Sequence, residues 1–520
     1  MTERIRLNED NRRWWTLAAM CFALFMIMLD NTVVNVALPS IQDDLDASLS
    51  GIEWTVNAYT LTFAVLLVTG GRLGDIFGRR RMFLFGVVVF ALSSAAIGFA
   101  PDQHGLVAGR AVQGVGAAFM MPGTLSIISN TFPPEERGKA IGTWAGVSAL
   151  ALALGPVVGG ALTEYVSWRA IFFLNLPVAA GAVAVTLFAT RESRDESTEH
   201  RVDIPGILLL SLGLTTLVLA LVEGNSWGWG SPEILALLAT AAIGLVGFAL
   251  LEPRVREPMV DFAYFRSRTF LGANAVAFVV SFAMLAMFFF LALYMQNSLG
   301  YSAVEAGVRF LPSTLMIVLI APLAGRLADR IGPRPLMVTG LTLSAIALFL
   351  QTRIDPGTGY ELLLPSFVIM GVGMALTMSP MSTAAMNAVA PEKAGAASGI
   401  LSMSRMVGGT FGVATIGALF QHLASTRLDE SLAGLPVSAA QRDELVANLG
   451  SGSGGDLHGL DPAVAGQVKV AANDAFIHAL SSGMWLSAGV AATGAILAFW
   501  LVAPKVAARA PEAAPEPLGV

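Results

Sequence analysis

The sequence predicts an all-α integral membrane protein with fourteen transmembrane helices, arranged as six, two and six. Three observations predict it. The 520 residues are 55% hydrophobic and only 13% charged, about half the charged share of a soluble domain. Apolar runs long enough to cross a bilayer recur fourteen times along the chain. Lysine and arginine crowd into every second connection between those runs, the signature of a chain threaded repeatedly through a membrane.

The runs lie near 14–38, 52–71, 82–100, 105–128, 139–162, 168–190, 204–222, 233–251, 270–296, 304–325, 335–352, 361–386, 398–421 and 479–503. One set of connections carries 23 of the 31 basic residues, and the alternate set carries only Arg169, Arg353, Arg427, Arg442 and Lys469. Positive charge stays on the cytoplasmic side, so both termini are expected there. An even number of spans follows. Residues 1–13 are polar and carry no cleavable signal pattern, so the first span is expected to be retained. A net charge of −6 gives no reason to expect nucleic acid. The single cysteine, Cys21, excludes disulfides within the chain, and the five scattered histidines have no metal-ligand spacing. Neither a metal nor any cofactor is expected.

Taking the elements in order, the first run contains Asp30. A charge in mid-membrane costs roughly 2.5–3.5 kcal/mol and normally faces a protein interior or a water-filled cavity. The bland alternative, a carboxylate at a helix end reaching headgroups, fits poorly with the apolar residues Val33, Val34, Val36 and Leu38 beyond it. The second connection reads Gly71-Arg-Leu-Gly-Asp75-Ile-Phe-Gly78-Arg79 and recurs as Gly325-Arg-Leu-Ala-Asp329-Arg-Ile-Gly332-Pro333-Arg334. Gly71 and Gly78 permit a tight turn between close-packed spans. Asp75 is suited to accept backbone N–H groups or face a positive helix end. The copies lie 254 residues apart, which fits six spans only if the pair at about 204–268 is an insertion.

The domains expected are therefore 1–190 as a six-helix bundle, 191–268 as two inserted helices with flanking loops, and 269–504 as a second bundle. The second bundle includes an extracytoplasmic connection at 422–475, and 505–520 forms a cytoplasmic tail. Two such halves with a site between them are a transporter plan.

The fourth run carries a second intramembrane charge, Arg110, with Gln113 one turn away. A mid-membrane arginine stays charged and needs carbonyls, waters or a carboxylate. The fifth run is rich in glycine: Gly142, Gly146, Gly155, Pro156, Gly159 and Gly160. Small residues let helices approach closely. In the long connection, Gly450–Gly455 formally matches a dinucleotide-binding fingerprint, but no strand precedes it, so a flexible linker is the reading. Its flanks, 439–449 and 463–472, are expected as short surface helices. No phosphate-binding P-loop pattern occurs, so ATP drive is unsupported.

Gly71–Arg81 resembles the loop motif between spans two and three of the major facilitator superfamily. Leu106 to Ala118, with Arg110, Gln113, Gly114 and Gly116, resembles its fourth-span arginine motif. Gly142, Gly146 and Gly155-Pro156-Val-Val-Gly159-Gly160 resemble the fifth-span antiporter motif, with Ala151 replacing one glycine. Leu29 to Pro39, Trp168 to Pro177 and the Tyr301-Ser302-Ala303 region are similar to the fourteen-helix drug:proton antiporters.

The resemblance covers nearly the whole chain and implies the major facilitator fold. It implies proton-coupled export of amphipathic, often cationic compounds by alternating access, without enzymatic activity. Asp30 and Arg110 are the implied proton-coupling residues, Arg110 lining a central cavity. The conformational motifs are Gly71, Asp75, Gly78, Arg79, Gly155, Pro156, Gly159, Gly160 and Asp329, the Gly-Pro segment being expected to pack against the other half.

Polar cavity candidates are Asn31, Asn35, Asn57, Tyr59, Gln113, Asn274, Tyr294 and Arg405, each equally able to serve as an interhelical hydrogen bonder. Met120, Met374 and Met378 suit a promiscuous pocket or plain packing. The partners expected are the bilayer and small amphipathic substrates, without nucleic acid or nucleotide, and the chain is expected to act as a monomer. Two other functions stay open: the same machinery exporting an endogenous lipid or metabolite, and a transport-inactive sensor of this fold.

Overall fold

The computed structural model describes residues 8–47, 49–196, 202–432, 438, 441 and 462–504. Among these residues all regular structure is helical. The α-helices are α1 (Glu9–Leu45), α2 (Leu49–Phe77), α3 (Arg79–Gly98), α4 (Gln103–Thr131), α5 (Pro134–Tyr165), α6 (Arg169–Phe173), α7 (Asn175–Ala189), α8 (Ile204–Trp227) and α9 (Pro232–Leu251). They continue with α10 (Arg268–Asn297), α11 (Ala303–Arg309), α12 (Leu311–Ile331), α13 (Pro333–Gln351), α14 (Tyr360–Asn387), α15 (Ala394–Leu432) and α16 (Pro462–Leu501). With α6–α7 and α11–α12 each counted as one broken span, fourteen spans result.

Local sequence chemistry sets the ends. Asn8, Asp102, Asp203, Ser231 and Ser267 cap α1, α4, α8, α9 and α10 through their side chains, satisfying N–H groups that the first helical turn leaves unpaired. Ser302 and Glu305 form a reciprocal capping box on α11. The turns α2–α3 and α12–α13 each pass through a single residue at positive φ, Gly78 at 108° and Gly332 at 88°. A side chain at either would strain the reversal.

Two six-helix bundles result, α1–α7 and α10–α16. The inserted helices α8 and α9 pack on one another, and α8 also packs against α2 and α15. Val218, Leu219 and Val222 of α8 face Trp54, Asn57 and Leu61 of α2. Asn225 near its far end meets Gly417 of α15. The inserted pair thus lies along the seam between the halves.

Both ends of the described chain lie on the face that carries the two repeated loops. Arg12 Nε donates to the Ala189 carbonyl at 3.0 Å, and Ala503 N donates to Thr269 Oγ1 at 3.1 Å. This is the basic face.

On the opposite face the 422–475 connection is shorter than the sequence predicts. Helix α15 runs on to Leu432 and α16 begins at Pro462, so 463–472 is the first part of a span-bearing helix rather than a separate surface helix. The extensions hold together through Leu428, Leu432, Val468 and Ala475 and an Arg427–Asp474 pair at 3.0 Å. Segment 439–449, apart from Gln441, lies outside the described residues, as do Gly450–Gly455 and the tail 505–520.

Candidate functional site

Asp30 and Arg110 meet. Helix α1 brings Asp30 into the interior of the N-terminal bundle, where Oδ2 accepts from Arg110 Nη1 of α4 at 2.6 Å. Its other oxygen, Oδ1, accepts from Gln113 Nε2 at 3.0 Å and from Asn175 Nδ2 of α7 at 2.9 Å. Ser94 Oγ of α3 accepts from the same two amides at 2.8 and 3.2 Å. Arg110 also donates from Nη1 to Gln113 Oε1 at 2.6 Å and from Nε to the Thr55 carbonyl of α2 at 3.0 Å, and its guanidinium lies 4.2 Å over the Tyr59 ring.

All six side chains are buried, Asp30 being 3% exposed and Arg110 1%. The carboxylate therefore has a donor on each oxygen and a full counter-charge. A buried pair of this kind tolerates loss of one member poorly, because the survivor is left as an uncompensated charge. Arg110 thus sits among α1, α2, α3, α4 and α7 instead of lining a central cavity.

The basic face is closed by the repeated loops, which cross between halves in a pseudo-symmetric way. Asp75 Oδ1 accepts from Gly395 N at 2.9 Å and Oδ2 from Ala396 N at 2.8 Å, so the carboxylate caps the start of α15. Arg79, four residues on, binds Asp75 Oδ1 through Nε at 2.9 Å and Nη2 at 2.7 Å. It also donates to the carbonyls of Pro391 and Glu392 at 2.8 and 2.6 Å.

In the second copy Asp329 Oδ1 accepts from Gly138 N of α5 at 3.1 Å, while Oδ2 has no partner. The weaker second latch follows from sequence: Pro333 stands where Arg79 stands in the first copy. Glycines make both approaches possible. A methyl group on Gly71 would strike the Gly395 carbonyl, and one on Gly138 the Gly325 carbonyl.

The fifth-span glycines divide between two partners. Gly142 lies on Ala321 and Pro322 of α12 in the other half, but Gly155 and Gly159 lie on Thr32 and Val33 of α1 in the same half. The sequence expects the Gly-Pro segment to pack on the other half; its glycines face α1 instead, while α5 also keeps contact with α11 of the other half. Gly155 meets α1 two residues from Asp30. Gly160 comes near Val36, and Pro156 lies within α5.

The other candidates scatter. Gln113 belongs to the Asp30 network. Tyr59 lies under Arg110, Met120 is buried against Gly86, and Asn57 faces α8. Asn31 and Asn35 donate to carbonyls of their own helix, those of Ile27 and Asn31. Asn274 joins α10 to Ser404 of α15 at 3.0 Å, and Tyr294 donates to the Thr358 carbonyl at 2.7 Å. Met374, Met378 and Arg405 are half-buried.

Sequence reasoning missed Asn175, Ser94 and the Thr55 carbonyl. It also missed four buried acids, Asp195, Asp203, Glu223 and Glu252. Ser226 Oγ donates to Glu223 Oε2 at 2.9 Å. Glu252 Oε2 and Asp203 Oδ2 both lack donors and both come against the Gly206 backbone.

The comparisons with known proteins agree with this architecture. Residues 20–413 match the Major Facilitator Superfamily. The chain is 34% identical to the tetracenomycin C resistance and export protein of Streptomyces glaucescens, over 97% of this chain and 95% of that protein. It is 40% identical to a puromycin resistance protein of Streptomyces alboniger, over 79% and 82%. Among solved structures, the human organic anion transporter MFSD10 superposes with a TM-score of 0.60 at 13% identity, covering 92% of this chain and 99% of that one, which shows a shared fold. The chain belongs to the Major Facilitator Superfamily and is a multi-pass membrane transporter rather than an enzyme.

Proposed function

We propose that this chain exports amphipathic drugs or toxic compounds across the cytoplasmic membrane in exchange for protons, with the basic face cytoplasmic. The single observation that supports it best is the Asp30–Arg110 pair at 2.6 Å, buried in the N-terminal bundle with every carboxylate oxygen held. A proton arriving on Asp30 removes the charge that Arg110 holds, so α1 and α4 lose their strongest link. A carboxylate whose counter-ion and hydration differ between two conformations binds protons differently in each, and that difference is what coupling requires. The resistance and export names of relatives matched over most of the chain favour efflux of a toxic compound.

Inward proton movement supplies about 2.3 kcal/mol per charge per 100 mV of membrane potential. No resident cofactor enters this reading, the proton being the coupling ion, and one chain suffices as the working unit. The test is transport in proteoliposomes under an imposed pH gradient. Asp30→Asn is expected to abolish gradient-driven export while leaving substrate binding within a few-fold of wild type. Unchanged substrate-driven proton movement in that variant would refute the reading.

A further inference from the structure

Arg405 is a charged residue in the middle of α15 for which the structure supplies no counter-charge. Among the described residues it makes no hydrogen bond or ion pair, and none of its nitrogens is sealed from solvent. It lies in the middle of a span and its side chain stays partly accessible. A mid-span charge faces the bundle interior or a water-filled cavity rather than lipid, so its accessible side borders open space inside the molecule.

Its height along α15 says which space. Gly395 and Gly399 of α15 lie against Gly71 and against Leu67 and Val68 of α2. Arg405 comes six residues later, roughly 9 Å further from the basic face. Beyond it α15 turns its glycines to other partners, Gly408 and Gly412 to Phe278 and Phe282 of α10 and Gly417 to Asn225 of α8. Arg405 thus stands just past the level where α2 and α15 are in backbone contact.

No described acid is positioned to neutralise it. In the C-terminal half Glu305, Asp329, Asp355, Glu361, Glu392, Asp429, Glu430 and Asp474 lie toward the two faces, and Glu223 of α8 is held by Ser226. Asp30, in the other half, is taken by Arg110. A buried guanidinium remains protonated and needs an anion, carbonyls or water around its five donors. A planar carboxylate matches two of those donors at once.

We propose that Arg405 is the specificity residue of the transport pathway and that the exported compounds are amphiphiles carrying an acidic group, such as a carboxylate or phenolate. This deepens the export reading above and narrows its substrate class, in place of the cationic compounds that the family resemblance implies. The electrical consequence is favourable. Anion export and proton import both carry positive charge inward in effect, so the membrane potential drives both.

The test uses the purified full-length protein and two fluorescent probes with one ring system, a diethylaminocoumarin carboxylate and its methyl ester, read by fluorescence anisotropy. A charge-assisted contact corresponds to about tenfold tighter binding or more, so wild type is expected to favour the carboxylate by at least that ratio. Arg405→Gln is expected to bring the ratio near one, and Arg405→Lys to restore part of it. Wild type binding the ester as tightly as the acid overturns the proposal without recourse to any variant. An unchanged ratio in a folded Arg405→Gln protein, judged by its elution and melting curve, overturns it too. Binding needs no gradient, so the two readings fail separately: gradient-driven export of the ester with no preference for the acid would sink this inference and leave proton-coupled export standing.

Discussion

Replacing Asp75 by asparagine tests how the basic face is held shut. Within the N-terminal half the Asp75–Arg79 contact persists whether the halves are together or apart. Beside the Arg79 bonds to the Pro391 and Glu392 carbonyls, the bonds across the halves that Asp75 itself accepts are those from Gly395 N and Ala396 N, at 2.9 and 2.8 Å. Each is charge-assisted and contributes about 1.5–3 kcal/mol. The asparagine oxygen can keep one of them at the strength of a neutral bond, while its amide group faces a donor. Closure is then weakened by about 2–5 kcal/mol, or roughly 30- to 4,000-fold in the closed-to-open ratio.

Spin labels at Arg81 and Arg330, both exposed and on opposite halves, report the gap by electron–electron dipolar distances. Cys21 is the chain's lone thiol and must first become serine. Asp75→Asn is expected to move the distribution to longer, broader distances. Asp329→Asn is expected to move it less, because Asp329 accepts one bond across the halves, from Gly138 N, where Asp75 accepts two. Superimposable distributions for Asp75→Asn and wild type would refute the reasoning, as would a larger shift from Asp329→Asn.

Two further outcomes follow from the geometry. Gly155→Leu drives a side chain into Thr32, two residues from Asp30; overpacking costs about 1–3 kcal/mol, and gradient-driven transport should fall much more than the melting temperature does. The segment after α9 is anchored by Asp261 Oδ2 on Lys393 Nζ at 3.0 Å. Burial pushes the Asp261 carboxyl up, but the Ala263 N–H, the Lys393 ion pair and Arg266 outweigh it and hold it below the usual carboxylate range. The sign follows: the anchor contributes above the unfolded carboxylate pKa of about 4 and is lost as pH falls through the lower folded value. Hydrogen exchange over 255–266, corrected for intrinsic rates, should rise only in that acidic window, and Asp261→Asn should remove the pH dependence.

The membrane spans and the repeated loop were legible because the bilayer allows few solutions. A spanning helix must be apolar for its whole length, and the loop glycines must be small where backbones touch. Asp30 and Arg110 stood out because each charge is costly where it lies. Their holders did not. Asn175 and Ser94 are ordinary polar residues in apolar helices, and only the packing of α3 and α7 brings them to one carboxylate. The Asp203–Glu252 meeting was hidden for a different reason. Each acid sits at the end of a span, where sequence suggests water, and the α8–α9 hairpin buries both beside Gly206. Gly155 was read as facing the other half because glycine signals closeness without naming the neighbour.

That neighbour matters more than the one expected. Helix α5 begins at the second latch, where Gly138 meets Asp329 and Gly325, and continues along α12 through Gly142 and Gly146. Two turns beyond Gly146 its glycines settle on α1 at Thr32 and Val33, while the helix keeps contact with α11 of the other half. One rigid helix therefore touches the closed basic face at one end and the backbone beside Asp30 at the other. Interiors packed this closely do not deform gradually. A change in α1 that follows protonation of Asp30 must be absorbed either at the Gly155 contact or by movement of α5, and movement of α5 disturbs the Gly138–Asp329 bond. A side chain at Gly155 would block the first outlet, and one at Gly138 would hold the second open. If α5 carries the coupling, both substitutions should therefore lengthen the spin-label distance across the basic face.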